Sequence, residues 1–277
     1  MIDQDVLIQK SHELTPLSPT IVRLAELVCN PDTDIAAIAK TLSMDPALAG
    51  SVLRQANSVR FGGQVEIATV TDAVIRLGSG AILAMATEHG VRKTADRSLP
   101  EYGFSEGMFW RHSCMASMAV DALRKSLQVA PVAAAATAAL LHDIGKLAMA
   151  QLLAPDVLSM MWRARTDGGC SRLDAEREIL GVDHAEVGGL IVQHWRLPES
   201  IQRSIMFHHD PSQAHGSIVD IVHAASCVAD LACPAIDDWP EAIPNANALA
   251  RLGLQSDHLT SAAETVAAEF SQLETGS

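Results

Sequence analysis

The chain has 277 residues, enough for one large domain or two small ones with a substantial core. Apolar residues make up 48% and aromatics 4%, a balance carried by Ala, Leu, Val and Ile that favours close-packed helices over sheets. The formal net charge of −13 opposes sequence-independent attraction to phosphate backbones, so no direct nucleic-acid binding is expected. Five scattered cysteines, Cys29, Cys114, Cys170, Cys227 and Cys233, show no C-x-x-C spacing, which argues against a disulfide framework or a thiolate zinc site and fits a reducing cytoplasm. No leader-type start and no run of about 20 apolar residues occurs, so a soluble protein with no membrane partner is expected.

The first third reads as short helices with sharp punctuation. Pro16 and Pro19 precede an apolar stripe of Ile21, Leu24, Leu27 and Val28 that Asn30-Pro31 stops. Asp34 opens a second helix with Ile35, Ile38 and Leu42 on one face, and Asp45-Pro46 opens a third with Leu48, Val52 and Leu53 inward. Phe61-Gly62-Gly63 reads as a loop, and Thr71 to Leu77 as a helix that Gly78 closes as a left-handed cap.

Composition turns charged and turn-forming over 92–104, which divides the chain into an N-terminal lobe (1–91), a connecting segment (92–104), a second lobe (105–235) and an extension with one helix (236–277). Helical patterns recur at about 107–127, 132–152, 155–166, 172–180, 183–195, 198–209 and 216–231. Asp183 and Glu186 have capping-box spacing, and Pro198 suits a first helical turn. Asp237 to Asn247 reads as loop. In the last helix Leu259, Ala262, Val266 and Phe270 form a short stripe, read as core packing in preference to a dimerising coiled coil. The expected class is all-α.

The stretch Leu140-Leu141-His142-Asp143-Ile144-Gly145-Lys146 sets an imidazole and a carboxylate side by side in an apolar helical segment. Such a pair supplies an N and an O ligand to a divalent ion, although an isolated His-Asp dipeptide is more often a hydrogen-bonded core pair. The context adds His112 after Trp110-Arg111, His184 at a capped helix start, and His208-His209 at the end of the helix opened by Pro198. Three or four helices can then offer His112, His142, Asp143, His184, His208 and His209 to one point. A divalent ion held there polarises a phosphoryl oxygen and lowers the pKa of bound water, and Lys146, one turn beyond His142, could meet the phosphate charge. His194, His215 and His258 read as surface groups, and His223 as a satisfied core residue.

These residues resemble the HDOD proteins, HD-related output domains of bacterial signal transduction and relatives of the HD metal phosphohydrolases. The resembling positions run from Leu14-Thr15-Pro16-Leu17-Ser18-Pro19 through Asp45-Pro46-Ala47-Leu48, Ala56-Asn57-Ser58 and Leu77-Gly78 to Trp110-Arg111-His112, His142-Asp143, Gly181-Val182-Asp183-His184, His194-Trp195-Arg196-Leu197-Pro198 and His208-His209. The resemblance implies a two-lobed helical fold with His112, His142 and Asp143 as the first three metal ligands, and His184 with His208 or His209 as further ones. It departs at the fourth ligand: an aspartate is expected after Val222-His223-Ala224-Ala225, where this chain has Ser226. A hydroxyl is a poorer ligand than a carboxylate, and Asp220 and Asp230 are the nearest substitutes. The Gly-Tyr-Pro element of the HD-GYP cyclic-di-GMP phosphodiesterases is also absent.

The leading expectation is therefore a regulatory module that binds a signalling protein partner or a small phosphorylated ligand, retains a full or partial site for Fe, Mn or Zn, and is not an enzyme. Homo-oligomerisation stays open. The alternative is an active metal-dependent phosphohydrolase in which Lys146 contacts the substrate phosphate. A third reading is a scaffold with no metal at all.

Overall fold

The computed structural model describes residues 16–58, 66–130, 132–166, 169–214, 216–233 and 243–275. Leu14, Thr15, the Phe61-Gly62-Gly63 stretch, His215 and 237–242 lie outside them. Within the described residues the architecture is helical, with one isolated antiparallel bridge, Leu99 to Phe104.

The first five helices are α1 (Pro19–Cys29), α2 (Ile35–Ser43), α3 (Pro46–Ala56), α4 (Val70–Leu77) and α5 (Ser79–Ala95). Their starts are chemical. Ser18, Asp34, Asp45 and Thr69 each accept a backbone N–H of the first turn, satisfying donors that a helix leaves open, and Pro19 and Pro46 sit where no N–H is needed. Leu24, Leu42, Leu48, Val52 and Ile82 are buried from these helices into one core. Gly78 does have a positive φ of 82°, but its ψ of 152° is not the left-handed helical cap expected; it both ends α4 and starts α5, turning the chain sharply between them. The two helices are bent by 108°, and no single helix among the described residues is long and apolar enough to cross a membrane.

Residues 96–104 carry a short 3₁₀ turn at Pro100–Tyr102, and Tyr102 and Phe104 are buried. Then follow α6 (Met108–Leu123), α7 (Ala135–Leu141), α8 (Ile144–Leu152), α9 (Pro155–Thr166), α10 (Arg172–Leu180), α11 (His184–His194), α12 (Glu199–Met206), α13 (Ser217–Ala232), α14 (Ala246–Leu252) and α15 (Ser256–Thr275). Helix α6 packs against α7, α13 and α15, and α11 lies between α8 and α12.

Three details differ from the sequence reading. The helix expected over 132–152 is two helices, broken at His142-Asp143, where the tertiary ligand cluster overrides a continuous apolar run. The helix opened after Pro198 ends at Met206, so His208 and His209 lie in the bend beyond it. Asn245, expected in a loop, instead caps the unforeseen helix α14 by accepting from Asn247 and Ala248. Leu259, Ala262 and Val266 of α15 are buried against α6 and α13, so that stripe is core.

Candidate metal centre

Seven side chains from five places in the chain meet in the second lobe. His112 comes from the second turn of α6, His142 and Asp143 from the α7–α8 break, Lys146 from the first turn of α8, His184 from the first residue of α11, and His208-His209 from the bend after α12. The break matters because it frees two adjacent residues from helical divergence.

Asp143 is the hub, and its two oxygens face different partners. Oδ2 lies 3.4 Å from His112 Nε2, 3.4 Å from His142 Nε2 and 2.7 Å from Lys146 Nζ. Oδ1 lies 3.4 Å from His184 Nε2 and 3.8 Å from His208 Nε2. The His112 and His142 Nε2 atoms are 3.3 Å apart, and those of His184 and His209 are 2.9 Å apart. The donor atoms form two groups, His112–His142–Asp143 and Asp143–His184–His208–His209, each within 4.8 Å.

The imidazoles are prepared as ligands by what their other nitrogens do. Nδ1 of His142 is 2.7 Å from the Ala139 carbonyl, Nδ1 of His208 is 2.7 Å from the Ile205 carbonyl, and Nδ1 of His184 is 2.7 Å from Glu176 Oε2. At His142 and His208 the carbonyl draws the proton to Nδ1 and leaves the Nε2 lone pair toward the cluster, the tautomer a metal needs; at His184 the Glu176 carboxylate orients the ring, and an ion bound there would displace the proton on Nε2. Asp143 Oδ1 and His208 Nε2 are buried with no hydrogen-bond partner, a state that usually signals a missing species. The residues therefore fit a divalent ion of borderline hardness, Fe, Mn or Zn. When bound, such an ion would stiffen the cluster and offer Lewis acidity.

Burial shapes the charges. Burial lowers the His142 pKa to about 4 and pushes that of His208 well below its usual value. Burial would raise the Asp143 pKa, but His142, Lys146 and His184 together hold it well below the carboxylate range. At His184 burial acts downward, yet the Glu176 carboxylate and a hydrogen bond to Asp143 together outweigh it and raise the pKa to about 10.

A stability test follows from His142. Its folded pKa lies below the unfolded value of 6.5, so the unfolded chain binds the extra proton and stability falls as pH drops from 6.5 toward 4. The His142 shift alone amounts to about 3 kcal/mol at 1.36 kcal/mol per unit. His184 adds no slope in that window, because below 6.5 it is protonated in both states. Urea midpoints of chelator-treated protein at pH 7 and pH 5 check this, and an unchanged midpoint would contradict it.

Neither substitute carboxylate replaces the aspartate missing at Ser226. Asp220 is held bidentately by Arg251 at 2.6 and 2.8 Å. Asp230 Oδ1 stands 3.9 Å from Nδ1 of His112, on the side of the ring away from the Nε2 that faces Asp143. Ser226 itself is buried on α13. His223 is the satisfied core residue expected: Nδ1 meets the His208 carbonyl at 2.7 Å and Nε2 accepts from Asn245 N at 2.9 Å, tying α13 to the ligand bend and to α14.

Glu176 was not singled out from sequence. It lies eight residues before His184 across a turn at Gly181, and nothing local marks it as a partner. A cavity of about 610 Å³ lies elsewhere, between α3 and α5 of the first lobe and α6, α7 and α15, lined by Met85, Glu88, Arg92, Trp110, Cys114 and Phe270 among others. The metal-type ligands do not line it.

An all-helical two-lobed fold with a buried His/Asp cluster on the α7–α8 break defines an HD-type protein. The HDOD domain model matches residues 14–211, and the chain belongs to the HDOD family. A solved structure from Shewanella amazonensis SB2B, named as a phosphohydrolase by assignment only, is 29% identical, with 95% of this chain and 93% of that one covered and a TM-score of 0.65. An HDOD domain protein of unknown function from Geobacter sulfurreducens is 21% identical over 99% and 96% of the two chains, TM-score 0.64. One from Marinobacter aquaeolei VT8, named by assignment as a signal transduction protein, shares the fold at 18% identity and TM-score 0.72, with 95% of this chain and 59% of that one covered. Among curated proteins, an uncharacterized protein of Treponema pallidum (strain Nichols) is 24% identical over 199 residues, which are 72% of this chain; the match spans 38% of that relative's length.

Proposed function

We propose that this chain is a bacterial signal-transduction output module that acts in the cytoplasm by binding a signalling protein or a small phosphorylated ligand, with its metal centre serving structure more than turnover. The observation that carries this reading is that the cluster is sealed. His112, His142, Asp143, Lys146, His184 and His208 are each at most 2% exposed, and His209 is partly buried. A phosphodiester cannot reach an ion behind such a wall without rearrangement, and catalysis needs reacting atoms within about 3–3.5 Å. Lys146, which the hydrolase reading assigns to the substrate, already spends its Nζ on Asp143 at 2.7 Å. The cavity at the lobe junction offers a ligand Arg92 and His89 beside the Trp110 wall, on the other side of α6 from the cluster.

The second reading, an active metal phosphohydrolase, is favoured by the convergence of the His/Asp set and by the 29% identity to the Shewanella amazonensis protein. One assay decides between them. The full chain, loaded in turn with Fe, Mn and Zn, is offered bis(p-nitrophenyl) phosphate and cyclic and linear nucleotides. Turnover far below about 1 per second, unchanged in a His142→Ala/Asp143→Ala variant, is expected. Turnover at an ordinary enzyme rate that this variant loses establishes the hydrolase instead.

A further inference from the structure

The two oxygens of Asp143 divide the cluster into halves that are not equivalent. On the Oδ2 side stand two imidazoles, His112 and His142, and the oxygen they share is already ion-paired with Lys146 at 2.7 Å. The helix that should complete this half carries Ser226. An ion here has three protein donors, one of them neutralised by an ammonium close by. On the Oδ1 side stand three imidazoles, His184, His208 and His209, around an oxygen whose nearest donor, His184 Nε2, is 3.4 Å away and which no short hydrogen bond or lysine claims. The buried Nε2 of His208 is likewise unclaimed.

Resting on the metal-holding reading of the cluster given above, we infer that the chain seats one divalent ion, not two, on the Oδ1 side of Asp143 with His184, His208 and His209, and that Lys146 takes the place of a second ion on the Oδ2 side. Donor separations of 2.9, 3.4 and 3.8 Å bracket the edge of about 3.3–3.4 Å that a tetrahedron with bonds of about 2.0–2.1 Å requires. The His112–His142–Oδ2 separations of 3.3 to 3.4 Å suit an ion equally well, so spacing does not choose between the halves. Ligand number and charge do. Three nitrogens and one carboxylate oxygen match a four-coordinate borderline ion such as Zn²⁺, and they are a poor set for Mg²⁺ or Ca²⁺, which demand oxygen. Lys146 is itself lodged against the rings of Tyr102 and Phe104, at 6.0 and 5.8 Å from their centroids, so the cation on the Oδ2 side is a built part of the core.

The test uses the full chain stripped of metal and titrated with Co²⁺, whose visible absorption reports coordination number, alongside elemental mass spectrometry of native protein. Saturation at one equivalent with an intense four-coordinate spectrum is expected. That spectrum persists in His112→Ala and is lost in His209→Ala, a change at the least buried of the ligands. Two equivalents in the wild type overturn the inference without recourse to any variant. So does a single equivalent lost in His112→Ala and kept in His209→Ala, and so does an absence of Co²⁺ binding. The last result leaves the binding-module reading standing, whereas rapid phosphodiester turnover by a one-ion protein refutes that reading and leaves the seat in place.

Discussion

Gly145→Ala is expected to destabilise the protein by about 3 kcal/mol or more and to dismantle the metal centre, a far larger effect than adding one methyl group normally has in a helix. Helix α8 approaches the start of α11 so closely that a β-carbon at 145 would overlap the carbonyl oxygen of His184 and lie within 2.9 Å of Gly188 N. Both obstacles are backbone, so no rotamer change relieves the clash, and overpacking of this kind costs at the top of the usual range of about 1–3 kcal/mol or beyond it. The displaced residue is His184, whose Nε2 must stay near Asp143. Thermal unfolding should show a midpoint lowered by at least about 6 °C, taking about 2–4 °C per kcal/mol for a protein of this size. Gly50→Ala is the control. Gly50 lies within α3, its added β-carbon would meet only the Arg54 side chain at 3.8 Å, and the exchange should raise stability by about 0.5–1 kcal/mol through helix propensity. Equal effects at the two glycines would refute the close-approach argument.

Gly145 also illustrates which parts of this protein sequence reasoning reaches. The helices announce themselves because their signals are local: an Asp or Ser before an apolar stripe caps a helix wherever the chain goes, and the Asp183–Glu186 capping box forms as the spacing indicates. The ligand residues are legible for a related reason, since imidazoles clustered at helix starts and ends are chemically unusual. What stays hidden is every feature that depends on how helices lie across one another. A glycine whose missing side chain admits another helix looks like any other glycine. The break at His142-Asp143 is masked by the apolar run Ala133 to Leu152, which reads as one helix because the cost of bending is repaid only by partners far away in sequence. Asp220 and Asp230 were equal substitutes for the missing aspartate on paper; the structure assigns one to Arg251 and the other to the back of His112. The division of Asp143 into two unlike sides is still further from the sequence, because it depends on which oxygen Lys146 reaches.

Glu176 should prove as important as the ligands themselves. Its Oε2 accepts from the backbone N–H of His184 and meets the Nδ1 of the same residue, both at 2.7 Å, and it is fully buried. Glu176→Ala leaves two buried groups of His184 without their acceptor, a loss that costs about 3–5 kcal/mol where a buried charged pair is broken. Glu176→Gln separates fold from tuning. A carboxamide oxygen can still accept from the backbone and the ring, so most stability should remain, but the negative charge that sustains the His184 pKa at about 10 is gone. The sign of the pH dependence then identifies the pair. A folded pKa raised above 6.5 contributes stability that is complete below pH 6.5 and fades as pH rises toward 10, so the advantage of wild type over Glu176→Gln, in metal-free protein, should be largest near pH 6 and nearly vanish by pH 10. In metal-loaded protein the same change removes the orienting carboxylate behind a ligand, and ion affinity should fall by about 10–100-fold. Competition between the protein and a coloured chelator measures that fall, and an affinity equal to wild type would show that His184 does not need Glu176 to face the ion.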